Sequence, residues 1–352
     1  MTDLTVTVPP GGTAARRHRG PSGVPPTPGV RELSFVLETG RALAVVGEAG
    51  SGARECVRAL AGMLPEAQVS GQAMFEGTDL LRPGRRARHA GIGTLFPGDA
   101  TRPHPLRRVG GQIASLIRTH DRSVGRPAAR GRAVELLERV ELDDPARRAR
   151  QYPYQLSEET RRRVMIAMAF APGPRLLIAE DPAEAIAPAA ATAVLDLIHR
   201  LRQESGTALL LATRDLGTAT AMTDEIVMMY AGLPVERAAP HTLLHHPHHP
   251  YTKGLVERAA PHTLRHHPHH PYTKGLRESS PGSRPVPSGC PFHPHCRYAM
   301  PVCAAERPPL SRVTGDGDHS SACWLPHEAI GLGEAAEALR LRFSRPDPGG
   351  PP

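Results

Sequence analysis

The stretch Leu43–Leu64, LAVVGEAGSGARECVRALAGML, decides the fold. An apolar run, Leu43–Val46, leads into a turn with Gly47, Gly50 and Gly52, and then into a segment with helical spacing from Arg54 to Leu64. Strand, glycine turn and helix in that order let backbone N–H groups wrap a phosphate chain at a helix N-terminus. The pattern G-x-x-x-x-G-K-[ST] is met at Gly47 and Gly52 and fails at its last two positions. Ala53 stands where a lysine reaches the β- and γ-phosphates, and Arg54 where a hydroxyl ligates Mg²⁺. Gly47, Gly50, Ser51, Gly52, Ala53 and Arg54 thus make a phosphate loop that keeps its N–H donors and has lost its charge and metal ligand. Arg54 lies one position late, on the first helical turn, where facing away from a bound phosphate is open to it.

Outward from the loop, Leu4–Val8, Ser34–Glu38, Ile92–Leu95, Leu176–Ala179, Ala208–Ala212 and Glu225–Tyr230 are further strand candidates. Between them, Gln112–Thr119, Arg130–Val140, Glu159–Ala171 and Ala189–Ser205 carry helical spacing. Short apolar runs alternating with helices predict buried, mostly parallel strands.

The length of 352 residues suits one large α/β domain with an appendage. Apolar residues at 39% build a core, whereas 4% aromatics and 38 prolines, clustered towards both ends, predict irregular terminal chain. No apolar run reaches the roughly 18–20 residues that cross a bilayer, and the N-terminus has no basic-then-apolar leader; a cytoplasmic protein is expected. The net charge of +8 comes largely from arginine, as in Arg85, Arg86 and Arg88 or Arg147, Arg148 and Arg150. No aromatic residues interleave these runs, which favours solvated arginine over nucleic acid or anionic lipid as the reading.

Together with the glycine turn, Tyr152–Ala171 (YPYQLSEETRRRVMIAMAFA), Arg175–Pro182 (RLLIAEDP), Ala208–Gly217 (ALLLATRDLG) and Val227–Glu236 (VMMYAGLPVE) resemble the ATP-binding subunits of ABC importers. His249–Leu255 (HPYTKGL) and Gly289–Cys303 (GCPFHPHCRYAMPVC) resemble the dipeptide/oligopeptide (peptide/nickel) branch in particular. The resemblance runs from about Leu33 to Trp324. It implies an α/β fold of the P-loop NTPase-type ABC ATPase: parallel core sheet, antiparallel edge sheet, helical signature subdomain and a cysteine-containing C-terminal extension. It also implies ATP and Mg²⁺ as ligands and head-to-tail pairing with a second ABC ATPase subunit. Membrane permease subunits would dock near Thr101–Ile117, an extracellular solute-binding protein would act indirectly, and the chain would sit on the inner face of the cell membrane. The expected division is a tail over 1–28, a nucleotide-binding domain over 29–236, a tandem duplication over 237–276, a four-cysteine region over 277–327 and a second tail over 328–352.

Most catalytic positions depart from the family's pattern. Glu180 precedes Asp181, where the family has Asp for the Mg²⁺ shell and then Glu for the attacking water. Each carboxylate is off by one methylene, and misplacement by about 1 Å can cost ~10²-fold in rate. Pro97 takes the place of a glutamine that senses the γ-phosphate. The signature L-S-G-G-Q is written Leu156-Ser157-Glu158-Glu159-Thr160, with two carboxylates where glycine N–H groups grip the partner's ATP. The switch histidine is Arg214, which neither accepts a hydrogen bond nor exchanges a proton, and the D-loop aspartate is Ala187. No aromatic residue precedes Ser34–Glu38 to stack on adenine. The expectation is a kept fold with impaired hydrolysis; the alternative is a non-catalytic structural or regulatory subunit, or a decaying paralogue.

Two features lie past the cassette. Cys290, Cys296, Cys303 and Cys323 have the spacing C-x₅-C-x₆-C-x₁₉-C. Clustered cysteines in a cytosolic chain favour a metal over disulfides; an iron–sulfur cluster, zinc and unligated thiols are the readings, and the resemblance implies the first. Cys56, in the helix after the loop, reads as a small buried apolar residue. Val235–Leu255 recurs at once as Val256–Leu276 with Leu244 changed to Arg265. Two units are too few for a solenoid, so one copy should take the family position and the other loop out. The pair holds ten of the nineteen histidines, and a copied family segment is favoured over a metal buffer.

Overall fold

The structure, a computed structural model, describes residues 1–8, 27–81, 91–98, 101–184, 186–259, 288–313 and 317–325. Its first part contains β1 (Thr2–Val8), β2 (Thr27–Leu33), β3 (Ala42–Val46), α1 (Ala53–Leu60), β4 (Gln68–Gln72), β5 (Met74–Phe75), β6 (Thr78–Asp79) and β7 (Ile92–Leu95). A helical stretch follows: α2 (Val109–His120), α3 (Arg126–Arg139), α4 (Pro145–Arg150) and α5 (Glu158–Phe170). The chain returns to the core with β8 (Leu176–Glu180), α6 (Pro188–Ser205), β9 (Ala208–Thr213), α7 (Leu216–Met222), β10 (Glu225–Tyr230) and β11 (Leu233–Ala238). It closes with α8 (Pro240–His245), α9 (Pro250–Ala259), α10 (Pro301–Ala305), β12 (Ser311–Arg312) and β13 (Ser320–Ser321).

The main sheet has eight strands in the order β12-β13-β11-β10-β3-β9-β8-β7. From β10 to β7 every neighbouring pair is parallel, and β11, β13 and β12 add antiparallel strands at one side. All residues of β3, β8 and β9 are buried, which explains their uninterrupted apolar spelling: a parallel strand covered on both faces has no polar side. One face packs against α2, α3, α5 and α6 through Ile113, Leu137, Ile166 and Ile198. The other packs against α1 and the small sheet β2-β1-β4, with Leu4, Val6, Val30 and Leu33 against Cys56, Val57 and Leu60. Cys56 is fully buried there, and burial pushes its thiol up to about 12.

Three expectations change. Thr2–Val8 is a strand, so the tail expected over 1–28 begins with ordered chain that buries Leu4 and Val6. The strand expected at Ser34–Glu38 lies earlier: β2 ends at Leu33, which pairs with Leu4, while Val36 is 74% exposed. The C-terminal region also joins the main sheet, since Glu236 and Arg237 of β11 pair with Ser321 and Ser320 of β13.

The first copy of the duplication forms β11, α8 and most of α9. The second copy begins inside α9, so the same tetrapeptide, VERA, is a strand at Val235–Ala238 and helix at Val256–Ala259. Hydrogen-bonding context overrides local propensity here. The rest of the second copy, and the tail over 328–352, lie outside the described residues.

Candidate functional site

The glycine turn sits between β3 and α1 with no room for side chains at its two ends. A Cβ on Gly47 would lie 2.5 Å from the Met229 carbonyl oxygen, and one on Gly52 would lie 2.0 Å from that of Gly29. Gly52 also has φ +96°, a conformation that L side chains rarely adopt. Backbone bonds hold the loop: Gly47 N–H donates to Thr213 O at the end of β9 (3.3 Å) and, within the loop, Ser51 N–H to Glu48 O (3.0 Å). Ala53 N–H donates to Ser51 Oγ (3.3 Å). Glu48 N–H donates to the Tyr251 hydroxyl of α9 (3.4 Å), and the Glu48 carboxylate pairs with Arg258 at 2.7 Å. The C-terminal segment therefore grips the loop directly.

Arg54 does not face away. From the first turn of α1 its guanidinium reaches across to the end of β8, donating to Asp181 Oδ2 (2.8 Å) and Glu184 Oε1 (3.3 Å), with its Nε 3.3 Å from Glu180 Oε1. One turn later, Arg58 makes a bidentate pair with Glu180 at 2.6 and 2.8 Å. Arg214 donates to Glu184 Oε1 at 2.8 Å. Asp181 Oδ1 accepts from the Thr213 hydroxyl (2.8 Å) and from Arg214 N–H (3.2 Å). Glu180 is fully buried and Asp181 nearly so, with Asp181 at φ +36°. Burial works against the Arg54 charge, but the hydrogen bond and charge of Asp181, with Glu180 and Glu184, prevail and raise its pKa above the ordinary arginine value.

The structure brings together Arg54, Glu180, Asp181 and Arg214, which the sequence singled out separately, and adds two residues it did not single out. Arg58 was legible as the i+4 neighbour of Arg54 on one helix face, and Glu184 as a third carboxylate three residues past Asp181. A cavity of about 660 Å³ opens beside them, lined by Glu48, Glu184, Thr213, Arg214, Asp215 and Arg258, among others.

The signature residues serve their own helix. Leu156 is buried, and Ser157 caps α5 by accepting from Thr160 N–H at 3.1 Å. Glu158 pairs with Arg161, and Glu159 lies 3.7 Å from Arg163. Both carboxylates lie in the first turn, where they suit the helix dipole. Ser157→Ala should cost about 1 kcal/mol in equilibrium denaturation, the usual loss for a cap. Ala187 sits at the start of α6 without a side-chain cap bond. Before Pro97, Phe96 is held by Thr101, which accepts from its N–H and donates to its carbonyl.

The cysteine expectation is corrected. Cys290, Cys296, Cys303 and Cys323 line one cavity, but its volume is about 10 Å³, no more than one water molecule needs. Among the described residues no group of three or more His, Cys, Asp or Glu is placed to hold a metal ion. Burial pushes the Cys290 thiol up to about 11 and Cys323 higher still. The iron–sulfur and zinc readings have no support in this geometry.

The histidines of the first copy do structural work. Glu236, fully buried, accepts from the backbone N–H groups of His248 (2.7 Å) and His249 (3.0 Å) and pairs with His319 Nε2 at 2.7 Å. Burial holds the His249 ring down at about 4, against the opposing charge of Glu236, and His249 Nδ1 accepts from Tyr251 N–H. The unfolded chain takes up that proton near pH 6.5, about the free histidine value, and the folded chain only near about 4. Stability from this residue is complete above the higher value and declines as pH falls between the two. Emission of Trp324, the single tryptophan, should shift red across that window in wild type, and less in His249→Gln.

Residues 30–184 match the family described as ABC transporter. Residues 235–262 and again 256–286 match the oligopeptide/dipeptide transporter C-terminal region, one match for each copy of the duplication. The chain is 36% identical over 322 residues to the oligopeptide transport ATP-binding protein OppD of Mycobacterium tuberculosis, covering 90% of this chain and 52% of that protein. It therefore spans about half the length of its mycobacterial relatives. It is 32% identical to OppD of Haemophilus influenzae, covering 90% of this chain and 96% of that protein. Against the dipeptide transport ATP-binding protein DppD of Escherichia coli identity is 34%, covering 86% and 92%. Among solved structures, an ATP-binding cassette in a dimeric post-hydrolysis state with ADP and Pi aligns with TM-score 0.54 at 21% identity, covering 68% of this chain and 99% of the other. That last likeness concerns the fold.

Proposed function

Because this chain belongs to the ABC transporter family, in its oligopeptide/dipeptide branch, we propose that it is the cassette subunit of a peptide-type importer whose own ATP hydrolysis is impaired. The single observation that carries the impairment is the arginine network. Phosphoryl transfer needs cations on the β- and γ-phosphates and a carboxylate free to orient water. Here Ala53 offers no charge, Glu180 is tied up by Arg58, and Asp181 is held by Arg54, Thr213 and Arg214. In a head-to-tail pair, the Glu158 and Glu159 side chains, paired with Arg161 and Arg163, would also stand where the family's glycine N–H groups meet a triphosphate held by the partner. Damage on both faces lowers turnover at both composite sites.

The network equally favours a second reading, a non-catalytic structural subunit, since a satisfied set of ion pairs holds the cassette shape without nucleotide. Both readings keep the nucleotide-binding domain over 29–236, now with β1 added to it, and the C-terminal region from 277. Both place the permease near Thr101–Ile117, where Leu106 is 76% exposed and α2 begins. Among the described residues no helix is long and apolar enough to cross a membrane, so a membrane role runs through that partner. Affinity purification of the full chain from detergent-solubilised membranes tests this. Recovery with an integral-membrane permease and a second cassette subunit is expected; recovery free of membrane proteins would count against the importer assignment.

A further inference from the structure

We propose that Arg54 stands in for the divalent cation of this site, so that the chain takes no Mg²⁺ between its phosphate loop and the end of β8. The inference rests on the family reading for where the metal belongs; the donor set then decides against it. A Mg²⁺ site of this kind is built from a loop hydroxyl and a strand-end carboxylate. The hydroxyl position is Arg54 itself, and its guanidinium lies on the carboxylate oxygens a metal would need. Asp181 Oδ2 is taken by Arg54, and Oδ1 by Thr213 and Arg214 N–H. Both oxygens of Glu180 are taken by Arg58, and Glu184 Oε1 receives Arg54 and Arg214.

The charges at this site balance. Three guanidinium groups, Arg54, Arg58 and Arg214, face three carboxylates, Glu180, Asp181 and Glu184. The cluster is neutral before any ion arrives. Mg²⁺ would have to displace a planar, bidentate-capable cation and shed its own tightly held waters to enter. A guanidinium also differs from Mg²⁺ in kind: it neutralises the carboxylates but draws no phosphate oxygen into an octahedral shell. The loop helix and β8 are in this way fastened together by side chains.

Thermal unfolding of the full chain with MgCl₂, against KCl of matched ionic strength, tests the proposal without requiring activity. Wild type should show the same Tm in both salts. Arg54→Ser should unfold lower in KCl and recover roughly 5 °C with saturating MgCl₂, because the exposed carboxylates and the new hydroxyl then accept the ion. Arg54→Lys, which keeps the charge, should stay insensitive to Mg²⁺. A saturable rise in wild-type Tm with MgCl₂, abolished by Asp181→Asn, would overturn the proposal, as would an Arg54→Ser variant that folds yet ignores the ion. Either failure leaves the importer reading standing, and loss of the importer reading leaves the salt comparison unchanged.

Discussion

Ala53→Lys combined with Arg54→Ser is expected to raise affinity for a nucleoside triphosphate at least about tenfold, or ~1.4 kcal/mol, while turnover stays at background. The lysine restores a point charge at the N-terminus of α1, beside glycine N–H donors that the fold already presents. The serine removes the guanidinium from Asp181 Oδ2 and supplies a hydroxyl at the metal position. Position 53 is buried, so the lysine must run its methylene stem along the loop and place its ammonium at the mouth. Turnover does not follow, because Glu180 stays locked by Arg58 and Arg214 still stands at the switch position. Titration with a fluorescent ATP analogue, alongside phosphate release, separates the two quantities. Phosphate release recovering in step with binding would show that the transposed acidic pair is competent after all.

Arg58→Ala is expected to lower stability by about 3 kcal/mol, a Tm fall of roughly 6–12 °C for a domain of this size. Glu180 has no exposure to water, and its bidentate partner would be gone. Removing one member of a buried pair leaves a charge that neither water nor protein neutralises, and Arg54 Nε at 3.3 Å offers partial relief at most. The double replacement Arg58→Met with Glu180→Leu should recover most of that loss, since apolar groups of similar volume need no partner. Guanidinium denaturation of the three proteins checks this; an Arg58→Ala midpoint equal to wild type would mean that the pair contributes nothing to folding.

Much of the core was legible because burial on both faces leaves an unmistakable spelling. β3, β8 and β9 read as ALAVV, LLIAE and ALLLAT, short runs with no polar face, as strands covered on both sides require. The strands that escaped notice are those whose existence depends on a neighbour. β4 is mostly exposed QVSGQ, and β12 and β13 are two residues each, β13 formed against β11 and β12 against β13. The two VERA tetrapeptides state the limit most plainly: one joins a sheet, the other continues a helix. At the site, the sequence led us to expect departures from the family pattern but could not say what the departing side chains touch. For Arg54 the sequence left open that it faces away, because its acidic partners lie more than a hundred positions along the chain. For the cysteines, spacing counted the thiols but carried no information about the room between them, and that room is about 10 Å³.

The central claim is that the cassette fold is kept while the charge that drives phosphoryl transfer has been turned inward. Phosphate release by the purified full chain in Mg·ATP, compared with Asp181→Asn, tests it most directly. The account predicts a wild-type rate indistinguishable from the variant and from buffer. Robust ATP turnover in the wild-type chain, abolished by Asp181→Asn, would contradict it.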